Sequence, residues 1–381
     1  MPADYPDYPR HELIARYLEE YATTFELHDH IKFRSRVVTV RPDGGAFEVS
    51  LDNGDRERFS AVVVANGHHH KRSFPPAVPG AFSGNILHSG DYVDPTEPAD
   101  LVAKCVVVVG FGNSAVDIAS ELAGTSPSTR VLLSVRRGAW VLPRYALGRP
   151  LDQVSSTRGP LSLLPRSWRK TFVALWYRST VGQPDQFGLP EPDHAIGDAH
   201  PTVSDSLLPL IREGRIEVKP RIVRFEDDRV QFADGSSERA DAIVYATGYE
   251  LDFPFFEPSY LSAPNNELEL YFRVFSPAHA GLYFVGLCQP LGPIFPVAQA
   301  QARLVAAHLA GDYCPPAAAE MARLARAERA AVRERYGSSP RHTMQVDFDD
   351  YLSAIATEER AGAARATRQR AGRDEGPSHS V

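Results

Sequence analysis

Gly110, Gly112 and Ala115 have the G-x-G-x-x-[G/A] spacing of a turn that binds the pyrophosphate of a dinucleotide. The first glycine permits the tight turn, the second lets the backbone approach the phosphates, and the small third residue lets helix and strand pack closely. Asn113 and Ser114 can add side-chain donors to the backbone N–H groups and positive dipole end of the helix that should follow. At the end of the next strand an NAD site presents an acidic residue to the ribose 2′-hydroxyl, but here RVLLSVRRG ends in Arg136-Arg137. Two guanidiniums suit the 2′-phosphate of NADP, so NADP(H) is the expected nucleotide.

The other reactive residue types form weaker patterns. His68, His69 and His70 are adjacent and lack the spaced partners of a metal site, so a solvated or cofactor-adjacent turn is expected and no metal. GFGNSAVD is not the G-x-S-x-G elbow of a serine nucleophile. Cys105, Cys288 and Cys314 form no C-x-x-C pair, which argues against disulfide exchange and cysteine-rich zinc and fits a reducing cytoplasm.

The elements that must position these residues are legible nearby. CVVVV, residues 105–109, reads as a buried strand running into the glycine turn, and DIASELA after it as an amphipathic helix. A longer grammar repeats. FEVSLDNGDRERFSAVVVANG gives strand, Asn-Gly turn, strand and an apolar run ending at Ala65-Asn66-Gly67. RVQFADGSSERADAIVYATG gives the same order around Asp-Gly, ending at Ala246-Thr247-Gly248. The second copy opens with the glycine turn. The first has no such opening, and on the second copy's spacing its fingerprint is expected roughly 70 residues before Met1. Without that segment, apolar surface at residues 62–64 should be exposed.

With 381 residues, 43% hydrophobic and 23% charged, the chain has the composition of a globular protein of about two domains. A net charge of −7 with scattered arginines argues against a nucleic-acid partner. No apolar run reaches the roughly 20 residues of a membrane span, and the N-terminus does not read as a signal peptide. Residues 159–180, with Trp168, Phe172, Leu175 and Trp176 among basic residues, read as a buried helix in preference to a lid or membrane-surface helix. The Arg-, Gly- and Ser-rich end, residues 358–381, reads as disordered.

Between the two copies, FSGNILHSGDY places Phe82, Gly84, His88 and Tyr92 in the pattern F-x-G-x-x-x-H-x-x-x-[Y/F]. That pattern resembles the identifying motif of the flavin-containing monooxygenases. The likeness continues through ANGHH, VVVGFGNSAVDIASEL, LSVRRGAWVLPR, HPTVSD, ATGYELDFPF and FPVAQAQAR, and so covers residues 1 to about 357. The related Baeyer–Villiger enzymes usually carry Trp where Tyr92 stands.

The resemblance implies an α/β fold of two Rossmann-like dinucleotide-binding domains, the first incomplete at its N-terminus. It implies FAD and NADP(H) as cofactors, and O2 with a small amine or sulfide as substrates. NADPH reduces the flavin, O2 adds as a C4a-hydroperoxide, and the nitrogen or sulfur attacks it; the chemistry is the cofactor's and the protein orients and shields it. It implies NADP contacts at Gly110, Gly112, Asn113, Ser114, Arg136 and Arg137. Gly67, Gln289 and Gln299 lie where the family's chain passes the FAD, Gln299 opening a helix under the flavin, and no proton-transfer role is assigned to His88. A homodimer is admitted. The division it implies is a partial FAD-binding domain over 1–88 and an NADP-binding domain over 89–256 with a helical insertion at about 138–200. Residues 257–357 return to the FAD domain. The family's active-site asparagine would also precede Met1, which favours a late start or a fragment over a non-catalytic NADP-binding remnant. A flavoprotein disulfide reductase is disfavoured by the lack of C-x-x-C.

Overall fold

The valine run forms the middle strand of a five-stranded parallel sheet in the computed structural model, which describes residues 2, 4–146, 148–155, 166–196, 201–336 and 343–374. Across the sheet the strands are Ile216–Lys219, Arg130–Ser134, Cys105–Val109, Ala242–Tyr245 and Asn85–His88, every neighbouring pair parallel. Val106, Val107 and Val108 are fully buried because both faces of the sheet are covered. Val106 and Val108 pack against Ala115, Val116, Ala119 and Leu122 of the helix Asn113–Thr125. Val107 faces Phe225, Val230 and Phe232 of a three-stranded antiparallel meander. From the valine strand the chain moves outward to Arg130–Ser134 and Ile216–Lys219, then crosses back to Ala242–Tyr245 on the other side. The valine strand and Ala242–Tyr245 therefore flank the switch point at which such sheets bind ligands.

The contacts divide the chain into Met1–Val62 with Phe253–Ser262, and Val63–Asp252 with Ala263–Val381. The duplicated grammar is visible in both units. The first meander, Val37–Asp43, Ala46–Leu51 and Arg56–Phe59, turns at Gly54 with φ +90°, and the second, Ile222–Glu226, Arg229–Phe232 and Ser237–Arg239, at Gly235 with φ +85°. Each turn needs the left-handed backbone that glycine supplies without strain. Val63 is 43% exposed, while Val64 is buried and its carbonyl accepts the Val285 N–H at 3.0 Å.

Three expectations are corrected. Residues 85–88 join the five-stranded sheet beside Ala242–Tyr245, so the first nucleotide domain does not extend to 88. The helix Arg166–Thr180 is not buried: Trp168 and Leu175 are 68% and 62% exposed, and Tyr177 turns inward against Trp140 at 5.2 Å between ring centroids. Apolar residues on several sides of this helix left its buried face undefined. Residues 358–374 are not disordered but complete the helix Phe348–Asp374; residues 375–381 lie outside the described residues. That helix docks through polar bonds more than large apolar side chains, so composition misjudged it. Glu358 accepts the Tyr313 hydroxyl at 2.7 Å, Arg365 Nε donates to the Cys314 carbonyl at 2.8 Å, and Arg370 donates to Gly311 O and Asp312. Gly362 lies under the Tyr313 ring, where a Cβ would meet Cε2 at 2.0 Å.

A side chain at 362 should therefore undock this helix. Gly362→Val is expected to destabilise by about 2–3 kcal/mol and to open Arg360, Arg365 and Arg368 to trypsin. Rapid cleavage at those sites in the unaltered protein would contradict the docked helix.

Candidate functional site: a dinucleotide turn and the motif that braces it

The valine strand ends against the end of Ala242–Tyr245. Ala246 N–H donates to Val109 O at 2.8 Å, and Gly110 N–H donates to Ser134 O at 3.1 Å. Gly110 has φ +130°, and a Cβ there would lie 2.4 Å from the Ala246 carbonyl oxygen, so the turn admits only glycine. The helix Asn113–Thr125 begins immediately, with Gly112 as an N-cap that offers no side-chain bond. Its first-turn N–H groups lie at the sheet's C-terminal edge without helical acceptors, where the helix dipole would favour an anion. Ala115 is fully buried and Ser114 exposed.

Asn113 also has a bracing contact, made through its oxygen and leaving its Nδ2 donor uncommitted among the described residues. Its Oδ1 accepts the Val203 N–H at 2.9 Å, and Thr202 Oγ1 donates to Phe111 O at 2.8 Å. The strand Thr202–Val203 thereby clamps the glycine turn, itself held by pairing with Val141–Leu142. Thr202, completely buried, was missed; PTVSD showed no sign that it reaches back 91 residues. His200 lies outside the described residues.

Arg136 and Arg137 follow Arg130–Ser134 and are both exposed. Arg137 pairs with Asp193, whereas Arg136 makes no ion pair among the described residues. A glycine turn, an uncapped helix N-terminus and an unpaired guanidinium beyond the adjacent strand fit the pyrophosphate and 2′-phosphate of NADP(H).

Each residue of the Phe82–Tyr92 motif has a bracing contact. Phe82 packs on Phe225 at 5.7 Å between ring centroids. Gly84 leaves space for the Asp241 carbonyl, which a Cβ would approach to 2.4 Å. His88, 1% exposed, has Nε2 3.1 Å from Gly248 O, while Nδ1 accepts the Gly90 N–H at 3.1 Å. Those partners select the neutral Nε2–H tautomer, and burial pushes the imidazole's pKa down. Tyr92 donates to Glu121 at 2.9 Å on the fingerprint helix, and its pKa is raised by burial and then by that carboxylate.

The residues assigned to FAD are less clearly assembled. Gly67 has φ +72° with open space at its Cβ position, and Gln289 donates its backbone N–H to Met344 O at 2.8 Å. Gln299 does not open its helix: it lies exposed inside Ile294–Leu309. The buried neighbour is Gln301, whose Oε1 accepts the Gly286 N–H and whose Nε2 donates to Tyr351, both at 2.7 Å. The Gln-Ala-Gln spacing places the two on opposite helix faces, and burial alone identifies the inward one. No hydrogen bond among the described residues joins Gly67, Gln289 and Gln299. Of the histidine run, His68 is lowered to about 4 by burial and then by His69 and His70, and His70 Nε2 is 2.7 Å from Asp252 O. No cluster of three metal-ligating side chains occurs, and no helix is long and apolar enough to cross a membrane, among the described residues.

The sheet and its glycine turn define a dinucleotide-binding α/β protein of Rossmann type. The family described as FMO-like, flavin-binding monooxygenase-like, matches residues 1–363. Flavin-containing monooxygenase 5 of Cavia porcellus is 35% identical over 375 residues, spanning 93% of this chain and 69% of that protein. Dimethylaniline monooxygenase (N-oxide-forming) 2 of Rattus norvegicus is 34% identical over 378 residues, spanning 94% and 69%. Among solved structures, S-allyl-L-cysteine S-oxygenase from Allium sativum aligns with TM-score 0.64 and 25% identity over 99% of this chain and 75% of that one. Oxidized steroid monooxygenase bound to NADP shares the fold, with TM-score 0.68 and 17% identity over 94% and 84%. The chain belongs to the flavin-containing monooxygenase family, whose members are FAD-containing, NADPH-dependent enzymes.

His88→Ala is expected to cost about 2–4 kcal/mol, because it strands the Gly90 N–H, leaves the Gly248 carbonyl to Ser73 N–H alone and empties a buried ring site. Both His68 and His88 have folded pKa values below the ordinary 6.5, so the unfolded chain binds more protons as pH falls below 6.5. Stability should then decline from pH 6.5 towards about 4, the lower end of the His68 window. Urea midpoints at pH 7.5 and 5.5 check this: His68→Phe should shrink the difference between them, and an unchanged difference would contradict the assignment.

Proposed function

We propose that the protein is a flavin monooxygenase that uses NADPH and O2 to oxygenate a soft nitrogen or sulfur centre of a small molecule. The observation that carries the reading is the uncapped helix start at Gly112, placed at the switch point of the sheet, with Arg136 exposed beyond the adjacent strand and in no ion pair among the described residues. The backbone N–H groups of Asn113, Ser114 and Ala115 would bind the pyrophosphate, and Arg136 the 2′-phosphate. Asn113 and Thr202 hold the turn in shape. Bound FAD would supply the oxygen chemistry, with NADPH as its reductant, and Gly67 and the chain at Gln289 are proposed to lie along it.

The choice of a nitrogen or sulfur centre is supported by relatives named as N-oxide-forming and by the Allium sativum S-oxygenase. Tyr92 agrees, standing where the Baeyer–Villiger enzymes usually have Trp. Cys105, Cys288 and Cys314 are free thiols, which supports a reducing compartment such as the cytoplasm.

The test supplies the protein with FAD, NADPH, 18O2 and either methyl phenyl sulfide or N,N-dimethylaniline. Expected are a yellow flavoprotein and one 18O atom in the product. A colourless protein that binds NADPH but forms no oxygenated product would contradict the proposal. Arg136→Ala is expected to raise the KM for NADPH about tenfold with kcat little changed, as loss of a binding contact away from the reacting atoms requires.

A further inference from the structure

The turn that bears the two arginines is crossed by a strap, residues 190–194, from the region inserted between Arg130–Ser134 and Ile216–Lys219. Two anchors hold it there. Gly138 lies against its backbone so closely that a Cβ would be 2.1 Å from the Pro190 carbonyl oxygen and 2.6 Å from the Glu191 carbonyl carbon. Two residues further on, the Trp140 indole N–H donates to the His194 carbonyl at 2.8 Å. Between the anchors, Asp193 directs one carboxylate oxygen to Arg137 and the other to His194 Nδ1 at 3.0 Å. The hydrogen bond from His194, then Arg137, lowers the Asp193 pKa to about 2, so the carboxylate is ionised at working pH.

We propose that Asp193 is a specificity-determining residue that competes with the 2′-phosphate of NADP(H) for Arg137, so that the strap sets the margin by which NADP(H) is preferred over NAD(H). This rests on the reading of Arg136 and Arg137 as the 2′-phosphate turn. A phosphomonoester carries close to two negative charges at neutral pH. On arrival it must draw Arg137 away from Asp193 or rest on Arg136 alone, with a carboxylate nearby in either case. The 2′-hydroxyl of NAD carries no charge, so Asp193 opposes one nucleotide and is nearly indifferent to the other. The anchors make the opposition persistent, because the strap cannot swing away without losing the Trp140 bond and the packing over Gly138.

Isothermal titration of NADP+ and NAD+ into the unaltered protein and into Asp193→Asn, Arg136→Ala, Arg137→Met and the Asp193→Asn/Arg137→Met pair tests the proposal. Asn keeps the side-chain shape and leaves both backbone anchors in place; Asp193→Ser serves if the Asn variant folds poorly. Asp193→Asn is expected to tighten NADP+ about threefold to fivefold and to leave NAD+ within about 1.5-fold, the upper scale of an exposed ion pair. In the Arg137→Met background most of that gain should vanish. Unchanged or weaker NADP+ binding in Asp193→Asn, an equal gain for both nucleotides, or a full gain without Arg137 would each overturn it. The underlying reading fails separately: an unaltered protein without preference for NADP+, or one whose preference survives Arg136→Ala, would overturn the 2′-phosphate turn itself.

Discussion

The approach of Gly110 to the Ala246 carbonyl is the constraint on which the proposed nucleotide site depends. Two parallel strands end side by side, and a Cβ at 110 would lie 2.4 Å from that oxygen. The glycine lets the valine strand turn at once into the fingerprint helix, leaving the first-turn N–H groups at the sheet's edge. The long apolar run behind the turn fixes its position, because Val106, Val107 and Val108 are buried between the helix on one side and the meander on the other.

The Ala246-Thr247-Gly248 segment is tied on every residue, and those ties connect the nucleotide turn to the family motif. The Ala246 oxygen sits against Gly110, Thr247 Oγ1 donates to Ser73 O at 2.5 Å, and Gly248 O meets both the Ser73 N–H at 3.0 Å and His88 Nε2. His88 is thus a buried, neutral brace with both ring nitrogens occupied. Tyr92 extends the brace to the fingerprint helix through Glu121. The spacing of Phe82, Gly84, His88 and Tyr92 follows from what each must touch, and catalytic proton transfer is not needed to explain it.

What was legible in the sequence was local. A strand, a glycine turn and a helix within 21 residues are specified by neighbours, as is the arginine pair at the end of the following strand. The partners of those residues were not legible, because they come from far along the chain. Thr202 and Val203 close on Phe111 and Asn113, and Asp193 closes on Arg137 across 56 residues. Gln301 was passed over for Gln299 because helical polar residues do not declare which way they face. The helix to Asp374 was hidden because its docking uses arginine hydrogen bonds and one glycine, neither of which raises the apolar signal that marks a packed helix.

Hydrogen exchange with and without NADP+ tests the location of the nucleotide most directly. The amides of residues 112–115 and 135–137 are expected to slow on binding, and NAD+ should slow only the first group. Protection confined to other segments, or equal protection of 135–137 by NAD+, would contradict a 2′-phosphate held beyond Arg130–Ser134 at the switch point of this sheet.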